Sequence, residues 1–260
     1  MTSERWSDLN QRIVSGVVLA LVGLTSIILG GVIFTLFVSL LCGAMIWELT
    51  RISNGNMLIS LVLAAVVVLV LFFEPGGYLV ASTVLIAGLP ALYFAVADIN
   101  KMRVVIFAIM ITASGLVMQI LRFDLGLVWV LWLVLIVIAT DVAGYFAGRV
   151  IGGPKFWPSL SPKKTWSGTI AGWLLSAVVG AVFSLGPLVF LSVLVSFASQ
   201  MGDIAESALK RKFGVKDSSN LIPGHGGFLD RFDGMIAATL VLGILNMIIP
   251  GGLRYFQMGW

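Results

Sequence analysis

A short polar segment near the end of an apolar chain carries the residue types best able to do chemistry. The segment PGHGGFLDRFDG contains the single histidine of the chain, His225, and the aspartates Asp230 and Asp233. If the segment is helical, the two aspartates share one face because they are three positions apart. With Asp203, at the end of the preceding apolar run, they predict an oxygen-rich site that binds Mg²⁺ together with phosphates. The competing interpretation is that both aspartates only cap the last apolar helix, at the positive end of its dipole.

A second polar segment, ATDVAGYFAGRVIGGPKFWPSLSPKKTWSG, lies in the same half of the chain. It places Asp141 near the end of one apolar run, and just before the next run it places Ser161, Lys163, Lys164 and Thr165. A helix N-terminus offers free N–H groups and a positive dipole end, so two lysines and two hydroxyl groups placed there suit a phosphate. The alternative is that Lys163 and Lys164 only bind anionic lipid headgroups.

The residues around the histidine indicate how a phosphate could be held. Gly226 and Gly227 allow backbone N–H groups to approach a ligand closely, as in a phosphate nest. His225 is either a turn residue bonded to the local backbone or a general acid–base group. The chain has one histidine and one cysteine, Cys42, which argues against a zinc site. Carboxylates for a divalent metal, basic residues for phosphate and glycines for backbone contact together indicate phosphoryl or nucleotidyl transfer.

Glu48, in the segment MIWELTR, is a further acid at the end of an apolar run. We expect it to pair with Arg51 or Arg12, and we assign it no part in catalysis.

The elements that position these residues are predicted to be membrane helices. Hydrophobic residues make up 59% of the chain and charged residues 11%, whereas a soluble domain carries roughly a quarter charged residues. The sequence therefore predicts an all-α polytopic membrane protein, because the strands of a β-barrel would alternate apolar and polar residues. About nine transmembrane helices are expected from the apolar runs, at residues 13–29, 31–50, 57–73, 78–97, 103–121, 127–147, 168–185, 187–202 and 234–250. The segment LGPL, residues 185–188, is either a hairpin between two spans or a kink within one.

The basic residues predict the orientation of these spans. With alternating spans, all 16 basic residues except Arg122 and Arg254 lie on the side of the N-terminus. The positive-inside rule then places the N-terminus and the two long polar loops, about 148–167 and 203–233, in the cytoplasm. We therefore expect a multi-pass protein of the cell inner (cytoplasmic) membrane. Because both loops lie in the C-terminal half, residues 1–126 are predicted to be a transmembrane scaffold and residues 127–260 the catalytic region.

The segment SALKRKFGVKDSSNLIPGHGGFLDRFD, residues 207–233, resembles the signature of the CDP-diacylglycerol synthases, also called phosphatidate cytidylyltransferases. The upstream segment LSPKKTW is also similar to the family, although Ser167 stands where family members often carry Glu or Gln. Every fixed position of the signature is matched, by Ser207, Lys210, Arg211, Lys216, Asp217, His225, Gly226, Gly227, Asp230, Arg231 and Asp233.

The resemblance implies an Mg²⁺-dependent transfer of CMP from CTP to phosphatidic acid, giving CDP-diacylglycerol and pyrophosphate. It implies a homodimer surrounded by membrane lipids and no nucleic-acid partner. It also implies one or two metal ions, one of which could be monovalent, held by Asp203, Asp230 and Asp233 with a contribution from Asp141. Phosphate binding falls to Lys163, Lys164, Lys210, Arg211 and Arg231. The resemblance places Ser161, Thr165, Ser207, Lys216, Gly226 and Gly227 around the substrates, and His225 would orient a phosphate or a water molecule.

Two other functions are compatible with parts of the pattern. A CTP-dependent polyprenol kinase would also need Mg²⁺ and basic residues at the membrane edge, but the Asp-Arg-hydrophobic-Asp ending of the signature argues against it. A transporter would also contain polar residues, yet transporters place their sites near the midplane and carry repeats in both halves. Here the polar residues lie on one face and in one half.

Overall fold

The computed structural model describes residues 2–53, 56–73, 99–158 and 160–256. In this part of the chain most residues belong to eight α-helices, and seven of these are long and apolar enough to cross a membrane. The all-α polytopic fold is therefore confirmed. The helices are α1 Thr2–Leu29, α2 Gly31–Ile52, α3 Met57–Phe73, α4 Ile99–Ile120, α5 Leu127–Val150, α6 Trp166–Phe183, α7 Pro187–Lys212 and α8 Leu229–Ile248.

The helix bounds differ from the predicted spans mainly where charged residues continue a helix. The span predicted at 57–73 coincides with α3, whereas α7 continues well beyond the predicted end at residue 202. The span predicted at 78–97 lies outside the described residues. The segment at 185–188 is a hairpin, since α6 ends at Phe183 and α7 begins at Pro187. Proline suits the first position of a helix because the N–H it lacks would have no partner there.

The described residues form two compact units, and each unit draws on both halves of the sequence. The first unit contains the residues up to Phe123 together with Lys210–Phe232, and the second contains Asp124–Leu209 and the residues from Asp233 onward. Helices α7 and α8 each contribute residues to both units. A compact unit is not a functional region, so the division into a scaffold, 1–126, and a catalytic region, 127–260, stays a prediction.

In the first unit, side chains donate hydrogen bonds to the last carbonyl groups of two helices, which lipid chains cannot do. The Arg122 guanidinium donates from Nε to the carbonyl of Ile27 at 2.8 Å and from Nη2 to that of Ile28 at 3.3 Å, at the end of α1. Gln119 donates to the carbonyl of Leu71 near the end of α3 at 2.9 Å. Because the last carbonyls of a helix have no partner within it, these contacts stabilise helix ends in an apolar environment.

In the second unit, small hydroxyl residues join α5, α6 and α7. The Thr140 hydroxyl lies 3.0 Å from the Ser176 hydroxyl and 2.7 Å from that of Ser196, and all three residues are buried. Small polar residues that hydrogen-bond between helices are a common way to hold membrane helices together. This network supports the helices that carry the polar segments.

A short β-hairpin, which the sequence did not predict, precedes α6. Strand β1, Lys155–Trp157, pairs antiparallel with β2, Ser161–Thr165. At the end of β2 the Thr165 hydroxyl accepts the N–H of Gly168 at 3.2 Å and caps α6. The hairpin thus places the two lysines of β2 immediately before the N-terminus of α6.

Close packing of α5 against α6 predicts different outcomes for two glycine substitutions. In Gly168→Ala the added methyl group would lie 2.6 Å from the carbonyl oxygen of Gly144, which requires a backbone shift costing about 1–3 kcal/mol. In Gly144→Ala the added group would lie 3.5 Å from the carbonyl oxygen of Gly168, an ordinary contact. Thermal unfolding in detergent should therefore show a lower Tm for Gly168→Ala and an unchanged or slightly higher Tm for Gly144→Ala. Equal effects of the two substitutions would contradict this packing.

Candidate active site

In the second unit, three carboxylates and a lysine from four elements come together. The Lys164 ammonium on β2 forms an ion pair with Asp203 on α7, with Nζ 2.5 Å from Oδ2. The charged groups that act on Asp233, on α8, are Asp203, Asp141 on α5 and Lys164. The structure therefore brings together four of the residues singled out in the sequence. We call Asp141, Asp203, Asp233 and Lys164 the carboxylate cluster.

Glycines beside two of these aspartates allow α7 and α8 to pack closely in the second unit. A side chain at Gly202 would collide with the backbone carbonyl of Asp233. A side chain at Gly234 would lie 2.5 Å from the hydroxyl of Ser199 on α7. The pairs Gly202–Asp203 and Asp233–Gly234 are visible in the sequence, and they are the signal that could have predicted this helix contact.

The donor chemistry of the carboxylate cluster fits Mg²⁺. It offers oxygen atoms from three aspartates, and carboxylate oxygens are the ligands that a hard divalent cation prefers. Among the described residues, no three side chains of His, Cys, Asp or Glu form a ready-made metal-binding group. Mg²⁺ is commonly held by one or two carboxylates together with water and substrate phosphates, so a nucleotide phosphate would complete the ligand set.

In the first unit, Asp230 is surrounded by donors from the loop before α8. Its Oδ1 pairs with the Lys210 ammonium at 2.6 Å, and both side chains are largely buried. Its Oδ2 accepts the Ser218 N–H, the Ser218 hydroxyl and the Gly227 N–H, each at 2.8 Å. In this arrangement a metal ion would have to displace Lys210 from Oδ1. The role of Asp230 as a metal ligand stays a prediction. Phosphate binding by the Gly227 N–H also stays a prediction, because in this structure that N–H donates to Asp230.

Glu48 has a role that was missed in the sequence. It is fully buried on α2 and accepts hydrogen bonds from Ser218, Ser219 and the backbone N–H groups of Phe228 and Leu229. Among the described residues its hydrogen-bond partners lie in the loop before α8 and at the first residue of α8, so the expected pairing with Arg51 or Arg12 is not seen there. The signal in the sequence was the acid itself, because a buried acid in a membrane helix is costly and needs polar partners.

The His225 ring lies against α1 in the first unit. Its Nδ1 is 2.8 Å from the Ser15 hydroxyl, which is also 3.0 Å from the carbonyl of Pro223. Arg231 donates two hydrogen bonds to the backbone carbonyl of His225, at 2.9 and 2.6 Å. Burial, together with the positive charges of Arg231 and Arg12, lowers the pKa of His225. A neutral ring near pH 7 follows, and whether it orients a phosphate or water stays a prediction.

The remaining predicted residues differ in how accessible they are. Thr165 is buried and its hydroxyl caps α6, and Gly226 adopts a φ of +84° that favours glycine. The Ser207 hydroxyl donates to Asp203 at 3.4 Å. Ser167, where the family often has an acid or amide, donates to the carbonyl of Gly152 at 2.5 Å and joins α6 to the loop before β1. Exposed side chains, open to a ligand from solvent, are those of Lys163, Arg211, Lys216 and Arg231, and Ser161 is half-buried.

The lowered pKa of His225 predicts a pH-dependent stability. The unfolded chain binds a proton at this residue more readily than the folded chain, so folding loses stability as the pH falls through about 6.5 toward the lower folded value. Asparagine does not titrate in this range. The difference in Tm between the wild type and His225→Asn should therefore shrink from about pH 8 to about pH 5. A difference that stays constant over this range would contradict the assignment.

A membrane-spanning fold with three helix-borne aspartates beside a lysine is the arrangement expected of an enzyme that handles phosphate groups at a membrane. The family model described as the cytidylyltransferase family matches residues 10–249, and the chain belongs to this family. A phosphatidate cytidylyltransferase of Brucella suis is 37% identical over 256 residues, covering 93% of this chain and 94% of the relative. One of Bacillus subtilis is 30% identical over 266 residues, covering 88% and 94%. One of Helicobacter pylori is 41% identical over 126 residues, covering 46% and 47%.

Proposed function

We propose that the protein transfers CMP from CTP to phosphatidic acid, giving CDP-diacylglycerol and pyrophosphate for phospholipid biosynthesis. The observation that carries this proposal is the carboxylate cluster, in a chain that matches the cytidylyltransferase family over nearly its whole length. Both rival functions lose support. The kinase and the transporter account for polar residues in a membrane protein, but the family match favours cytidylyl transfer.

The proposed reaction is an in-line displacement at the α-phosphorus of CTP. An oxygen of the phosphatidate phosphate forms the new P–O bond, and the bond to the bridging oxygen of pyrophosphate breaks. A phosphate monoester has its second pKa near about 6, so the attacking group is already largely dianionic at neutral pH and needs no strong base. This fits a site rich in carboxylates and lysines, in which catalysis rests on positioning and charge stabilisation.

Asp203 and Asp233 would hold Mg²⁺, with Asp141 contributing to the same cluster. When bound, the metal would neutralise charge on the reacting phosphates and the leaving pyrophosphate. Lys164 adds a positive charge beside Asp203 and would bind phosphate oxygens directly. A second metal ion, divalent or monovalent, remains part of the proposal with Asp230 as the further candidate ligand.

The residues of the first unit would bind and orient the substrates. Lys210 and the exposed Arg211, Lys216 and Arg231 supply positive charge within the signature segment, residues 207–233, which suits the phosphates of a nucleotide. Lys163, exposed on β2, suits either the phosphatidate phosphate or a neighbouring anionic lipid. We further propose that the protein is a homodimer. We also propose that it lies in the inner membrane with the N-terminus and both polar loops in the cytoplasm, an orientation that the distribution of basic residues supports.

The test is a detergent-micelle assay of the purified protein with CTP, phosphatidic acid and Mg²⁺. The proposal predicts that CDP-diacylglycerol and pyrophosphate form in equal amounts, only when phosphatidic acid is present, and that chelating the metal with EDTA stops both. A kinase would instead release CDP without pyrophosphate. A transporter would release neither, so either result from a folded protein would overturn the proposal.

A further inference from the structure

Glu48 is a fully enclosed acid on a membrane-crossing helix. None of its surface is exposed, and it lies in α2, which is otherwise apolar over most of its length. Burying a carboxylate away from water is expensive unless its oxygens are hydrogen-bonded. The hydrogen-bond donors around the Glu48 carboxylate therefore indicate its role.

Four donors converge on Glu48, two on each oxygen. Oε1 accepts the Ser219 hydroxyl at 2.6 Å and the Phe228 N–H at 2.9 Å. Oε2 accepts the Leu229 N–H at 2.7 Å and shares the single proton of the Ser218 hydroxyl, 3.2 Å away, with Asp230 Oδ2, which is closer at 2.8 Å. The donors come from the two ends of one loop, so the Glu48 side chain holds both ends by hydrogen bonds. The loop that it closes, residues 218–229, contains His225, Gly226 and Gly227.

A second carboxylate, that of Asp230, accepts hydrogen bonds from the same loop near both of its ends. Asp230 accepts from the backbone and hydroxyl of Ser218 and from the N–H of Gly227. Gly227 lies between the two acids: a side chain there would lie 2.5 Å from Glu48 Oε1 and would collide with the Ser218 hydroxyl. The glycine of the signature is thus needed for Glu48 to reach the start of α8.

We propose that Glu48 is a positioning residue for the transfer reaction. It acts through the loop at residues 218–229, holding the turn that carries His225 and accepting the N–H of Leu229, the first residue of α8. This inference rests on the proposed function, because the loop matters for catalysis only if it binds the nucleotide phosphates. Glu48 itself does not touch substrate, since the loop encloses it.

The pattern of donors makes the carboxylate hard to replace. The two backbone N–H groups each point at a different oxygen, so both positions must be acceptors. Glutamine would present an NH₂ group to one of them, and two donors would face each other. Aspartate keeps two acceptors on a shorter arm. Glu48→Asp should therefore retain more of the function than Glu48→Gln, although glutamine matches the size of glutamate more closely.

The test compares steady-state kinetics of the wild type, Glu48→Gln, Glu48→Asp and Thr50→Val. The control removes a buried hydroxyl from the same helix, and within the described part of the chain that hydroxyl bonds to carbonyls of its own helix, those of Ile46 and Trp47. A loosened loop displaces phosphate-binding groups, and a misplacement of about 1 Å can cost about 10²-fold in rate. We expect kcat/KM for CTP to fall by about 10²-fold in Glu48→Gln, with a raised KM for CTP and a KM for phosphatidic acid within about twofold of wild type. Glu48→Asp should recover part of this loss, and Thr50→Val should match the wild type.

A merely structural role would give a different result. It would reduce the fraction of folded enzyme, lowering kcat while leaving both KM values unchanged, and this result for Glu48→Gln would overturn the inference. If Glu48→Gln does not fold, Ser219→Ala removes one of the four donors and should still raise the KM for CTP.

Hydrogen exchange separates this inference from the proposed function. The backbone amides of Phe228 and Leu229 should exchange faster in Glu48→Gln than in the wild type, whatever the reaction is. An inactive, folded wild type would overturn the proposed function. An active Glu48→Gln with wild-type KM values and unchanged exchange would overturn the role of Glu48 alone.

Discussion

Asp233→Asn is expected to reduce the rate of CDP-diacylglycerol formation by about 10³-fold or more, since loss of a single transition-state donor already costs about 10²–10³-fold. The charges of Asp203, Asp141 and Lys164 act on Asp233. Removing one of three carboxylates would weaken the proposed metal binding and, with it, the stabilisation of the leaving pyrophosphate. The same change relieves repulsion between like charges, so the Tm should be unchanged or higher, as is common where an active site is strained for function.

The matched control for this prediction is Asp124→Asn. Asp124 is exposed on the π-helical turn Leu121–Leu125 and is not among the charged groups that act on Asp233. The substitution Asp124→Asn makes the same chemical change outside the carboxylate cluster and should leave initial rates at the wild-type level. If a well-folded Asp233→Asn variant had the rate of the wild type, Asp233 would have no role in catalysis and would only cap the helix.

Lys210→Met is expected to lower the free energy of unfolding by about 3–5 kcal/mol, because it leaves the buried Asp230 carboxylate without its ammonium partner. The two groups are 2.6 Å apart and their side chains are 13% and 6% exposed. The loss should appear as a lower Tm and as reduced transfer activity. The double variant Lys210→Met/Asp230→Asn removes both charges and should recover part of the stability but none of the activity.

Lys212→Met supplies the comparison for this second prediction. Lys212 is exposed in the same last turn of α7, and exposed substitutions usually change stability by no more than about 0.5 kcal/mol. If Lys210→Met were as stable as Lys212→Met, the result would show that Lys210 and Asp230 do not form their ion pair in the folded protein.

The apolar runs were sufficient to predict the fold class and most helix positions, because lipid imposes both the length and the composition of a spanning helix. They were insufficient at the two helices that carry the site. Hydropathy marks where apolar residues stop, but α7 continues through Asp203 and Lys210 to Lys212. Helix α8 begins at Leu229, before its apolar run, and there Glu48 accepts the N–H groups of Phe228 and Leu229.

The site was predicted as a set of residues, but not as an arrangement. The signature singled out both Asp230 and Asp233, and spacing alone gave them one shared role. In the structure Asp230 holds a loop through Ser218 and Gly227, while Asp233 belongs with Asp203. The partners of a buried acid are set by long-range packing, and for this reason the sequence could not connect Glu48 with a loop so far along the chain.

The most direct test of the account is to follow the label of α-³²P-CTP into lipid in the presence of phosphatidic acid and Mg²⁺. The wild type, Asp233→Asn and Asp124→Asn would be compared, with folding checked by thermal unfolding. We expect label in CDP-diacylglycerol for the wild type and Asp124→Asn, and almost none for Asp233→Asn. Equal labelling by Asp233→Asn, or no labelling by a folded wild type, would contradict it.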